Sequence, residues 1–247
     1  MAIAAIIAAI ALLGVAGSAN AVFPNFSGCT ATDLQREACV DIQNRSANLR
    51  IKDFNVPLGE SLEIRGMLRE DGAGGLLFVP PTGTNGFFAR AVPVPGGIFG
   101  IEWIPGNTVL AITELAGPAS AIRINIVTQT ISLPIKVRLV NLLLGMDCHI
   151  GTNRNPVPLN LITGTTSPPP PNTPISGRLG TFTFTPRGGI IITDNLNVEN
   201  SFAVPGATEC GFGLGLINSL VNLRLRLPSA AGNNAIEIHN DVALDVL

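Results

Sequence analysis

An all-β fold, an antiparallel sandwich or barrel with at most one or two short helices, is what this sequence predicts, and three observations predict it. Apolar and polar residues alternate with period two in several short runs. Glycine and proline, 27 and 19 of the 247 residues, break those runs every few positions. A helix-period apolar stripe is confined to one stretch near the C-terminus. Many short strands bounded by turn residues make a sandwich or a barrel.

In chain order, Met1 to Ala21 carries no charged side chain, and Ile3 to Val15 is an apolar run of the length of a secretory core. Ala19-Asn20-Ala21 offers small residues at the −3 and −1 positions. The sequence therefore predicts a cleavable signal over 1–21, cleavage after Ala21, and a mature β-rich domain over 22–247 that begins at Val22. The first basic side chain is Arg36, so either the α-amino group serves as the positive end of the signal or the true start lies upstream. A retained anchor is the alternative; it calls for about 20 apolar residues, more than this run has. Cys29 follows Phe26-Ser27-Gly28, unlike the Leu-x-x-Cys pattern of a lipoprotein.

Residues 22–46 read as an N-terminal segment with one helical turn around Asp33 to Ala38. Strand signals follow from Leu49 to Phe54. Pro57-Leu58-Gly59 makes a turn, and Leu62, Ile64 and Met67 alternate with Glu63 and Arg65. Asp71-Gly72-Ala73-Gly74-Gly75 is a tight turn before Leu76 to Val79, with further strands over Phe87 to Val92 and Ile98 to Trp103. The clearest alternation spans Ala121 to Asn141, two period-2 runs around Thr128-Gln129-Thr130 that predict a hairpin. Pro134 inside the second run predicts an edge strand or a bulge, because proline cannot donate to the ladder. Later strands are expected over Leu159–Thr163, Thr181–Thr185, Ile190–Thr193, Leu223–Leu227 and Ala235–Leu247. Leu214, Ile217, Leu220 and Val221 recur at helical spacing and predict one short helix over an end of the β-structure. The proline-rich tract 165–174 favours extended polyproline II. It reads as a loop within one fold, with a two-part organisation around it as the alternative.

Composition narrows the function. Hydrophobic residues are 46% and charged residues 13%, so the chain is not of the disordered class. A net charge of −2 with no basic stripe argues against nucleic acid. Eleven Phe, one Trp and no Tyr leave little for the aromatic girdles of an envelope pore. The mean hydropathy of +0.41 reflects an aliphatic excess.

The four cysteines, Cys29, Cys39, Cys148 and Cys210, all follow the predicted cleavage site, and an even count in an exported chain reads as disulfides. Three pairings are open; Cys29 with Cys39 and Cys148 with Cys210 is the favoured one. A metal site at Cys148-His149 is disfavoured, because adjacent residues of a strand point to opposite faces. No metal or cofactor is expected.

No G-x-S-x-G, H-E-x-x-H, P-loop or calcium-loop pattern is present. His149 and His239 are the two histidines, and each reads as a surface or structural side chain. Glu102 beside Trp103 is the one neighbour pair of sugar-site type, and an outward strand residue next to a core aromatic explains it better. Carboxylate pairs stay open, since such pairing is spatial. Asn25-Phe26-Ser27 and Asn44-Arg45-Ser46 are glycosylation sequons.

One stretch runs Ile135-Lys136-Val137-Arg138-Leu139-Val140-Asn141, then Met146-Asp147-Cys148-His149-Ile150-Gly151. It continues through Asn155-Pro156-Val157-Pro158-Leu159 and Thr163 to Asn172, with Phe202 to Ala207 and Cys210-Gly211 later. This half of the chain resembles secreted β-rich proteins of unknown function from high-GC Gram-positive bacteria. The resemblance implies export and a shared Cys148–Cys210 framework, and no catalytic residue. The expected function is a non-enzymatic secreted or cell-envelope protein, structural or adhesive, with a cell-surface component as partner. The alternative is a carrier of a hydrophobic ligand such as lipid, motivated by the aliphatic excess.

Overall fold

A computed structural model describes residues 23–29, 37–70, 76–100, 106–186, 188–211 and 215–246. The predicted signal and its cleavage site, the 71–75 turn and Glu102-Trp103 lie outside them. Two antiparallel sheets pack face to face, the sandwich that the alternation predicts; the barrel does not close.

The first sheet runs β12 (Thr181–Phe184), β13 (Ile190–Glu199), β15 (Asn234–Val246), β1 (Glu37–Ile51), β3 (Leu62–Glu70), β4 (Leu76–Val79). β2 (Phe54–Pro57) pairs with the second half of β1, and β5 (Phe87–Ala89) with the start of β3. The second sheet runs β14 (Ala207–Thr208), β10 (His149–Ile150), β9 (Thr130–Val140), β7 (Leu110–Leu115), β6 (Val92–Pro93). β11 (Val157–Leu161) and β8 (Arg123–Asn125) complete it along β9. The predicted hairpin over Ala121–Asn141 is the β8–β9 pair.

The core lies between the sheets. Val40, Ile42, Ile64, Leu68, Ile192 and Val242 come from the first sheet and Ile124, Ile131, Leu133, Ile135, Leu139 and Leu159 from the second, all buried. Along β9 and the start of β3 the inward residues alternate with outward Ser132, Lys136, Arg138, Glu63 and Arg65, which is the period-2 pattern made physical.

Several sequence expectations are corrected. β1 begins at Glu37, inside the segment read as pre-strand; a bulge between Asn44 and Ser46 shifts the inward positions from 40, 42 and 44 to 47, 49 and 51, which hides the alternation. Ala38, placed in a helical turn, is in this strand. Ile98 lies in turns rather than in a strand, with its side chain buried. Pro134 is on neither an edge nor a bulge: β9 is central, and Pro134 stands opposite Pro158 of β11 while its carbonyl accepts the Ala116 amide at 2.9 Å. Its missing donor falls in the gap between β7 and β8, where no strand needs one.

Leu223–Leu227 is not a strand. The helix α1 (Gly215–Leu225) runs through it, burying Val221 and Leu225 one turn apart and leaving Leu223 exposed. Its Arg224 donates to the Pro95 carbonyl at 3.1 Å and stacks over Phe54 at 5.0 Å. Five alternating residues cannot tell the two periods apart when a long arginine covers apolar surface with its stem.

The proline-rich tract packs against the same sandwich. The Asn172 amide donates to Gly232 at 2.9 Å, and its side chain donates to the carbonyls of Asn200 and Asn234 at 2.9 and 2.7 Å. Gly232 has φ +84°, and a Cβ there would lie 2.4 Å from the Pro169 carbonyl. Only glycine fits so close an approach.

Candidate functional site

Both favoured disulfides form: Cys29–Cys39 with Cα atoms 5.8 Å apart, and Cys148–Cys210 with Cα atoms 4.1 Å apart. The second joins the β9–β10 turn to the segment before α1, and both of its cysteines are fully buried. The first ties a strap, residues 23–29, along the outer face of β1. Such bonds form and persist in oxidising surroundings.

The strap borders a strongly polar cleft. On β1 and β3 the outward positions carry Asp41, Gln43, Glu63 and Arg65, because Ile42 and Ile64 face the core. The strap places Asn25 over them: its amide donates to Asp41 Oδ2 at 2.5 Å and its side chain to Glu63 Oε1 at 3.4 Å. Gln43 donates to the same Asp41 oxygen at 3.0 Å, and Arg65 Nη1 donates to Glu63 at 2.9 Å. Asp41 is 0% exposed, and its Oδ1 has no partner among the described residues. Burial raises its pKa from 3.8 to about 6; the Asn25 amide opposes this, Glu63 adds to it, and Gln43 and Arg65 oppose it.

Beside this network the cleft opens to about 220 Å³, lined by Phe23, Gln43, Asn44, Arg45, Glu60, Ser61, Leu62, Glu63 and residues 88–90. Asn44 holds its floor, donating to the Gly59 carbonyl and accepting the Leu62 amide at 2.7 Å. Two rings line it, each with a guanidinium stacked on it: Arg45 on Phe23 at 5.2 Å and Arg65 on Phe88 at 4.4 Å. Arg45 is also paired with Asp241 at 2.6 Å. Arg90 and Glu60 are exposed on the lining, and neither side chain has a partner among the described residues.

The histidines are separated. His149 is on the second sheet, its Nδ1 2.7 Å from the Asp147 carbonyl and its Nε2 3.6 Å from Glu114. Glu114 is the hub there, with Arg138 at 2.6 Å and Lys136 at 3.5 Å. Burial pushes its pKa up, but the Arg138 hydrogen bond and charge, with Lys136 and His149, outweigh that and hold it below the usual value. His239 is on β15 of the first sheet.

Between the sheets lie two aliphatic spaces of about 50 and 60 Å³, sharing Leu49, Leu58, Ile135, Leu159 and Ile236. Each is far below the roughly 300 Å³ at which small-molecule pockets begin. Of the two sequons, Asn44 is buried with both ends of its amide engaged.

Sequence reasoning found Glu63 and Arg65 as the polar side of an alternating strand. It missed Asp41, Arg45 and Phe23, because β1 was not legible and the strap is placed by a disulfide. Asp41 and Glu63, both bonded by Asn25 on neighbouring strands, are brought together only by register. No family model, curated protein or solved structure matches this chain.

Proposed function

We propose that the chain is an exported, non-enzymatic β-sandwich protein with a structural or adhesive role at a cell surface. The observation that carries this reading is the polar cleft on the outer face of the first sheet. Its charged side chains are largely engaged with one another, Arg45 with Asp241 and Glu63 with Arg65, which makes a rigid surface suited to holding a partner. The two disulfides support an oxidising compartment. The resemblance of the Cys148 region to secreted proteins of high-GC Gram-positive bacteria supports export and suggests the surface. The interior spaces of about 50 and 60 Å³ weigh against the carrier alternative, since neither admits an acyl chain.

The test is co-sedimentation of the mature protein with insoluble wall material of a Gram-positive bacterium, with the supernatant assayed for released sugar. The protein is expected in the pellet with no release. Protein left in the supernatant would overturn the adhesive reading, and steady release of soluble sugar would overturn the non-enzymatic one.

A further inference from the structure

The cleft between Phe23 and Phe88 also selects a ligand class. Its volume, about 220 Å³, lies below the roughly 300 Å³ of pockets for drug-sized ligands and confines an occupant to one small ring rather than an extended chain. Its charges balance. Arg45 is neutralised by Asp241 and Glu63 by Arg65, which leaves one cation, Arg90, and one anion, Glu60, without partners among the described residues. An anionic ligand needs an excess of donors and a cationic one an excess of acceptors, and the cleft has neither. An apolar ligand would have to desolvate the two unpaired charges without replacing their hydrogen bonds.

A polyhydroxylated neutral ring meets every one of these conditions. Each hydroxyl both donates and accepts. It can therefore take a hydrogen bond from Arg90 and give one to Glu60. The less polar C–H faces of such a ring pack against Phe side chains, here Phe23 and Phe88. We infer that this cleft is a binding site for a single neutral sugar unit, held between Phe23 and Phe88 and hydrogen-bonded by Arg90 and Glu60. This rests on the adhesive reading, of which it names the ligand. It also gives the strap a function: Phe23 is one wall of the site, and the Cys29–Cys39 bridge with the Asn25–Asp41 hydrogen bond keeps it in place.

The experiment is a titration of the isotope-labelled full domain, followed by amide chemical shifts, with glucose, galactose, mannose and N-acetylglucosamine in turn, and with inorganic phosphate. At least one sugar should shift the amides of residues 43–45, 60–63 and 88–90 together, with a dissociation constant on the order of 1–10 mM. Arg90→Ala and Phe88→Ala should each weaken that binding by about tenfold or more. The Arg90 side chain is exposed, and its backbone bond to Ser61 survives the substitution, so Arg90→Ala keeps the fold.

Silence of the cleft amides towards all four sugars overturns the inference. So does binding that Arg90→Ala leaves unchanged, or phosphate competing more strongly than any sugar. The wall co-sedimentation keeps the two failures apart. Sedimentation that persists in Arg90→Ala removes the sugar site and leaves adhesion standing. Sugar binding without sedimentation keeps the site and removes adhesion.

Discussion

Asp41 and Glu114 are opposite cases of a carboxylate on an outer sheet face. Asp41 is covered by the strap, with Asn25, Gln43, Glu63 and Arg65 around it, and its pKa is raised to about 6. A raised pKa means that the folded state favours the proton. The stability from this group is complete below its unfolded value of 3.8 and is lost as pH rises through about 6. Asp41→Asn should therefore gain on the wild type as pH rises, by up to about 3 kcal/mol at pH 8, with little gain at pH 4. Denaturant unfolding at the two pH values measures the difference; a gain that is equal at both would refute the account. Glu114 has its pKa lowered by Arg138, Lys136 and His149, so its contribution is present above 4.5 and lost as pH falls. Glu114→Gln should cost no more than about 1 kcal/mol at neutral pH, because the cluster is partly exposed, and progressively less as pH falls below 4.5.

Among elements, the strands show where alternation is a sufficient signal. β9 was legible because its inward positions hold phase from Ile131 to Leu139. β1 was not, because its bulge after Asn44 reverses the phase in mid-strand. α1 was half legible: Ile217, Leu220 and Val221 mark it, but the Leu-Arg alternation at its end imitates a strand. Close approach is the other property of elements. Gly66 in β3 lies under the edge strand β4, where an added Cβ would stand 2.5 Å from the Val79 carbonyl and 2.8 Å from the Phe78 ring. Gly66→Ala should destabilise by about 1–3 kcal/mol as β4 is pushed away, read as a lower denaturant midpoint with unchanged slope. The Cys148–Cys210 bridge spans 62 residues of chain, so Cys148→Ser with Cys210→Ser should cost about 2–4 kcal/mol in thermal unfolding.

For the whole molecule, the question is whether the proline-rich tract divides the chain. Its Asn172 is hydrogen-bonded to Gly232, Asn200 and Asn234, segments that lie beyond it in sequence. β13 and β15, which follow the tract, pair into the same sheet as β1 and β3, which precede it. Cutting the chain there would split one sheet and one core. Calorimetry of the mature protein should therefore show a single transition with equal calorimetric and van't Hoff enthalpies. Two resolved transitions would mean that the halves fold apart.

The sequence by itself determined the fold class, the favoured cysteine pairing, most strands of the first sheet and β8, β9 and β11 of the second, because period-2 alternation and turn residues are local properties that survive in one dimension. Tertiary structure alone decided the rest. A bulge reverses facing with no residue type to announce it, and a central strand tolerates Pro134 because its neighbours leave a gap there. The cleft is assembled from Phe23, Arg45, Glu63 and Arg90, residues scattered over nearly 70 positions and brought together by a disulfide and by strand register. Sheet pairing joins residues remote in sequence, so a site built on an outer sheet face exists only once the strands have found their neighbours.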